Sequence, residues 1–148
     1  SRVIASLSNG SSTANRLVLQ YTNSASGNEI VAFAQATSYS SVLTRSIPNS
    51  TLYGKFALKY SDVNNTIDLY LNGFNIGTGT WNYNFPTNSL NKIQLADANS
   101  TGNPLFGKTK EIGYYNTALT DAELETLTSY RNWVTMVNEL NLNIIYNG

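Results

Sequence analysis

Short runs of alternating apolar and polar residues follow one another along the chain, each closed by a cluster of turn-forming residues. Residues 3–7 alternate before Ser8-Asn9-Gly10-Ser11-Ser12, and residues 16–21 (Arg-Leu-Val-Leu-Gln-Tyr) end at Asn23-Ser24-Ala25-Ser26-Gly27-Asn28. Residues 29–34 form a third run and residues 41–47 a fourth, stopped by Pro48. Strands at this spacing with turn clusters between them predict an all-β sandwich or barrel.

The pattern is sharpest in the middle. Residues 55–60 set Phe56, Leu58 and Tyr60 on one face and Lys55, Ala57 and Lys59 on the other. Residues 67–71 likewise set Ile67, Leu69 and Leu71 opposite Asp68 and Tyr70. Period-two alternation of this kind predicts strands with one buried face each. A polar loop, Ser61-Asp62-Val63-Asn64-Asn65, joins the two. Asn72-Gly73 then predicts a type I′ hairpin turn, because both residues tolerate positive φ, and Phe74 opens the return strand.

Residues 92–96 and 108–115 read as further strands, separated by the turn-rich stretch from Asp97 to Pro104. A helix is predicted over residues 121–130, with Thr120 as N-cap, Glu123 completing a capping box, and Leu124 and Leu127 as the apolar stripe. Residues 133–146 read as a short helix leading into a final strand.

No long linker or fixed-period repeat divides the chain, so residues 1–148 read as one domain, long enough to bury a core. The chain opens inside a strand with no turn before Val3, and the apolar tail from Trp133 to Tyr146 carries more hydrophobic surface than a free end needs. Both features predict an excerpt of a longer polypeptide whose sheet edge is filled by an upstream segment or by neighbouring subunits of a homo-oligomer.

Composition narrows the function. Apolar residues make up 41% of the chain and charged residues only 12%, while Ser, Thr and Asn together supply more than a third. Short polar side chains that bond their own backbone favour turns and strands over helix. Net charge is zero and no basic run exists, which argues against a nucleic-acid partner. No apolar stretch is long enough to insert in a bilayer as a helix. With no Cys and no His, disulfides and the usual catalytic base are both missing. A Cys-free, Asn-rich chain suits an extracellular surface or a virion.

Five pieces between Lys55 and Leu127 carry a resemblance. They are Lys55-Phe56-Ala57-Leu58-Lys59-Tyr60; Ile67-Asp68-Leu69-Tyr70-Leu71-Asn72-Gly73; Ile93-Gln94-Leu95; Phe106-Gly107 running into Lys110-Glu111-Ile112-Gly113-Tyr114-Tyr115-Asn116; and Ala118-Leu119-Thr120-Asp121-Ala122-Glu123-Leu124. In this order they resemble the second half of a laminin G-like or concanavalin A-like jelly-roll domain. The second piece is similar to the family's L-Y-V-D-G hairpin and the last to its A-L-T-x-x-E-I helix. The resemblance implies an antiparallel two-sheet jelly-roll sandwich with one short C-terminal helix. In style the chain is also similar to receptor-facing domains of bacteriophage tail fibres.

The same superfamily includes glucanases, whose chemistry requires two carboxylates about 5 Å apart, set as Glu-x-Asp-x-Glu on one strand. Here Asp68 and Glu111 each stand alone in their predicted strands, so a glycoside hydrolase is the disfavoured reading and a non-catalytic binding domain the favoured one. Trp81-Asn82-Tyr83-Asn84-Phe85 is the densest combination of aromatic faces and amide side chains, the mixture that sugar sites use. Trp81, Asn82 and Tyr83 are therefore the candidate ligand residues. The competing reading packs Trp81 and Phe85 as core anchors. No cofactor is required. Calcium is the one candidate, with Asp62 beside Asn64 and Asp97 beside Asn99 as oxygen donors, although single aspartates in Asn-rich turns commonly serve the turn itself. The expected partners are a cell-surface glycan or host receptor and other virion or assembly proteins. The alternative is a purely structural decoration domain that binds protein alone.

Overall fold

A computed structural model describes residues 2–25, 27–37, 39–47, 54–96 and 103–130. Among these residues eight strands and one helix follow in chain order: β1 (Arg2–Ser8), β2 (Arg16–Ser24), β3 (Gly27–Ala36), β4 (Tyr39–Ser46), β5 (Phe56–Ser61), β6 (Thr66–Leu71), β7 (Phe74–Thr80), β8 (Lys92–Gln94) and α1 (Asp121–Thr128). The strands form a five-stranded sheet in the order β4-β3-β2-β1-β8 and a three-stranded sheet in the order β5-β6-β7. Every strand pair is antiparallel. The all-β expectation with one short helix holds. The segment from Trp133 to Tyr146 and the loop residues Asp97 and Asn99 lie outside the described residues.

Register explains the core. Leu17 stands opposite Ala34, Leu19 opposite Ala32, and Ala32 in turn opposite Leu43, so one face of the large sheet is apolar. In the small sheet Phe56, Leu58 and Tyr60 stand opposite Leu71, Leu69 and Ile67. Leu17, Leu19, Ile30, Ala32, Ala34 and Leu43 form one cluster with Ile67, Leu69 and Trp81, which closes the two sheets face to face. The alanines of β3 stand where bulky side chains enter from the other sheet, the large-against-small complementarity that dense packing requires. Tyr21 meets Phe56 edge-on across the gap, ring centroids 5.6 Å apart.

The turn after β6 is as the sequence predicts, with Asn72 at φ 51° and Gly73 at φ 91°. The helix starts as predicted too. The Thr120 hydroxyl accepts from the Glu123 N–H and the Glu123 carboxylate accepts from the Thr120 N–H. It ends two residues earlier than expected. The Thr126 and Thr128 hydroxyls donate back to the carbonyls of Ala122 and Leu124, and Ser129 is extended.

Four expectations are corrected. Residues 108–115 form no strand and join neither sheet among the described residues. After β8 the chain returns to β1 at a parallel bridge from Pro104 to Val3, with the Arg2 guanidinium 5.1 Å over the Phe106 ring, and proline has no N–H with which to extend a ladder. The strand expected over residues 92–96 stops at Gln94, because the Ala96 carbonyl accepts from the Ser6 side chain at 2.6 Å instead of from a backbone amide. Lastly, β6 is buried on both faces. Asp68 and Tyr70, expected on an open face, are covered because α1 packs across β5, β6 and β7. Leu124 and Thr128 face that contact, whereas Leu127, assigned to the buried stripe, is largely open to solvent.

Candidate functional site

Residues 81–86 leave β7 as an irregular loop at one end of the sandwich. The Trp81 N–H donates to the Asn65 carbonyl at 2.7 Å, which ties the start of this loop to the turn between β5 and β6. The far end closes in a second tight turn, where both the N–H and the hydroxyl of Ser89 donate to the Pro86 carbonyl. Two polar segments that lie well apart in sequence, 62–65 and 82–84, are thereby brought side by side.

Aromatic packing fixes the loop from beneath. Trp81 is fully buried and stacks on Phe85 with centroids 5.0 Å apart and planes 22° apart. Tyr60 of β5 meets the edges of both, at 6.5 and 5.4 Å. Tyr83 is half-buried, edge-on to Trp81 at 5.9 Å and to Phe85 at 6.3 Å. Of the three residues expected to touch a ligand, Trp81 therefore lies in the core, Asn82 is exposed, and Tyr83 is held with part of its ring at the surface. Burial removes the Trp81 ring from any ligand face and gives it the competing role, that of an anchor.

Above this base the rim is polar. Asp62, Asn64, Asn65, Asn82 and Asn84 are all exposed. Burial raises the Tyr60 phenol above its ordinary value, and the negative charge of Asp62 adds to the effect, which sets that carboxylate near the aromatic group. The turn is largely self-satisfied, since the Asn64 N–H donates to the Ser61 hydroxyl at 3.1 Å and Asn65 takes the left-handed φ of 52° that asparagine tolerates. Among the described residues no three acidic side chains gather at one point, so Asp62 offers calcium a single carboxylate where the ion takes six to eight oxygens.

A second polar group lies under α1, and sequence spacing gave no hint of it. The Lys59 ammonium sits 2.7 Å from Asp121 and 3.9 Å from Asp68. The Tyr70 hydroxyl donates to Asp121 at 2.8 Å. Asp68 also accepts from the hydroxyls of Thr78 at 2.6 Å and Thr66 at 3.3 Å. Two carboxylates thus approach one lysine, yet the arrangement is a fastening for the helix. Asp68 is buried and its oxygens are engaged. The Lys59 ammonium, then the Tyr70 hydroxyl, hold the Asp121 carboxyl below the usual carboxylate range, opposite to what a catalytic acid needs. Glu111 lies on an exposed segment that joins neither sheet among the described residues.

No protein-family model, curated protein or solved structure matches the chain. The two-sheet sandwich and its loop end stand on their own geometry. Among the described residues no helix is long and apolar enough to cross a membrane.

Proposed function

We propose that the domain is a non-catalytic binding module of laminin G-like jelly-roll type, that it recognises carbohydrate at a cell surface, and that it does so through the loop end formed by residues 62–65 and 82–84. One observation carries the reading: Asn82, Tyr83 and Asn84 are presented to solvent on a rigid Trp81–Phe85 stack, beside the exposed carboxylate and amides of Asp62, Asn64 and Asn65. Sugars offer hydroxyl groups and apolar ring faces together, and a site for them needs amide and carboxylate side chains around part of an aromatic ring. Amides that do not have to be ordered at the moment of binding lose less affinity to conformational entropy.

The chemistry on hand favours binding over turnover. Asp68 and Asp121 are both engaged with Lys59, and the chain has no histidine. The Asn-rich, cysteine-free composition agrees with a receptor-facing part of a virion fibre or another extracellular surface. A glycan array read with the native chain and with Tyr83→Ala tests the proposal. Defined glycans bound by the native chain and lost in the variant support it, and a blank array refutes it.

A further inference from the structure

Two segments make the rim of the loop end, residues 61–65 (Ser-Asp-Val-Asn-Asn) and residues 81–86 (Trp-Asn-Tyr-Asn-Phe-Pro), and together they hold one charged side chain, Asp62. It is exposed, as are the amides of Asn64, Asn65, Asn82 and Asn84. Burial and then the charge of Asp62 raise the Tyr60 phenol, and the Tyr60 ring meets Trp81 and Phe85 at 6.5 and 5.4 Å. The negative charge therefore stands close to the base of the second segment.

Cations of the two sheets are engaged elsewhere. The Lys59 ammonium, two residues before Ser61, is held by Asp121 and Asp68. Lys55 donates to the Ser129 carbonyl from the opposite end of β5. Arg45 donates to the carbonyls of Ile76 and Thr44, Arg16 donates to Gln35, and the Lys92 stem lies against Gly10. Two backbone donors of the rim are spent as well, the Asn64 N–H on the Ser61 hydroxyl and the Trp81 N–H on the Asn65 carbonyl. Carboxylate and sulfate groups are held by guanidinium, ammonium or clustered N–H groups. Amides, which donate and accept, and a carboxylate, which accepts, hold hydroxyl groups instead.

Granting the carbohydrate site proposed above, we infer that its ligand is an uncharged glycan, with hexose or N-acetylhexosamine units at the loop end, and that Asp62 rejects sialylated, uronic and sulfated ones. An acidic group a few ångströms from Asp62 in water weakens binding about fivefold. Salt screens the effect, because Asp62 is exposed.

Calorimetry of the full chain with matched glycans that differ in one acidic group, sialylated against desialylated and sulfated against unsulfated, tests this. A chelator is present throughout, so that no divalent cation bridges two acids. At low salt the native chain should bind the neutral member of each pair about fivefold or more tightly, and high salt should shrink that gap. Asp62→Asn should narrow the same gap at low salt, with thermal melts confirming its fold. An acidic glycan bound as well as its neutral partner, or better, overturns the inference while the carbohydrate reading stands. A preference that Asp62→Asn leaves unchanged overturns it too. A native chain that binds neither member of any pair overturns both.

Discussion

The Tyr70 hydroxyl donates to the Asp121 carboxylate across 2.8 Å, joining the C-terminal end of β6 to the first turn of α1. Tyr70 is fully buried and its ring is covered by the helix that its hydroxyl holds. Lys59 reaches the same oxygen from β5, and at the other end of the helix Thr128 accepts from the Gly73 N–H while Lys55 donates to the Ser129 carbonyl. The helix is thus fastened at both ends to the outer face of the small sheet. Tyr70→Phe should keep the ring packing and lose the hydrogen bond, costing about 1 kcal/mol in a denaturant melt. A variant as stable as the native chain would show that the Tyr70–Asp121 bond adds nothing to the contacts made by Lys59, Thr128 and Lys55.

Alkaline titration reads the same contact. Burial, then the bond to Asp121, pushes the Tyr70 phenol up from 10.0 to about 12. The unfolded chain releases this proton near 10 while the folded one keeps it, so the stabilisation is complete below pH 10 and is lost as pH rises towards about 12. Tyr21 and Tyr60 are shifted upward as well, chiefly by burial, and add to the slope. Melts across this range should fall with pH, and fall less steeply in Tyr70→Phe.

In acid the sign reverses. Asp121 lies below its ordinary 3.8 because of Lys59 and then Tyr70, and Glu123 lies below its ordinary 4.5 because of the Thr120 hydroxyl and N–H. Their contribution is present above those ordinary values and disappears as pH falls through the folded ones. Both carboxyls face solvent, so the effect is small. Asp121→Asn should flatten the acid limb of stability and also lessen the alkaline slope, because, after burial, the Asp121 carboxylate helps to raise the Tyr70 phenol.

Gly73 tests the hairpin. It sits at φ 91°, and a Cβ there would stand 3.1 Å from the Ser129 side chain. Gly73→Ala should cost about 1–2 kcal/mol through the left-handed backbone alone, with added crowding against the end of α1. A neutral substitution would mean that the turn relaxes away from the helix.

The fold was legible wherever one residue type answers to one local demand. Alternation marked Phe56, Leu58 and Tyr60, Asn72-Gly73 marked its turn, and Thr120 with Glu123 marked the helix start. What stayed hidden depends on what lies opposite a residue in space. Asp68 and Tyr70 look solvent-facing in a two-period pattern because nothing local announces a helix over that face. The Lys59–Asp68–Asp121 group joins three elements whose spacing carries no signal. Residues 108–115 alternate well enough for a strand, but a strand needs an edge to pair with, and Pro104 withholds the donor that would have continued the ladder. At the loop end, composition found the right segment without dividing the roles of its rings. Trp81 and Tyr83 are equally aromatic in sequence, and only packing separates an anchor from a surface.

That division makes a paired prediction. Trp81→Ala removes a fully buried ring from the core cluster and should cost about 3–5 kcal/mol, seen as a large fall in melting temperature. Tyr83→Ala and Asn82→Ala should melt much closer to the native chain, because each side chain is partly or wholly open.

The decisive measurement is glycan binding by the folded chain, titrated by calorimetry on whichever glycan an array returns. The native domain should bind, and Tyr83→Ala and Asn82→Ala should each weaken binding by about tenfold or more, the equivalent of one lost contact, with the melts confirming intact folds. Failure of the native chain to bind any glycan, or binding left unchanged by both substitutions, would contradict the assignment of this loop end as a carbohydrate site.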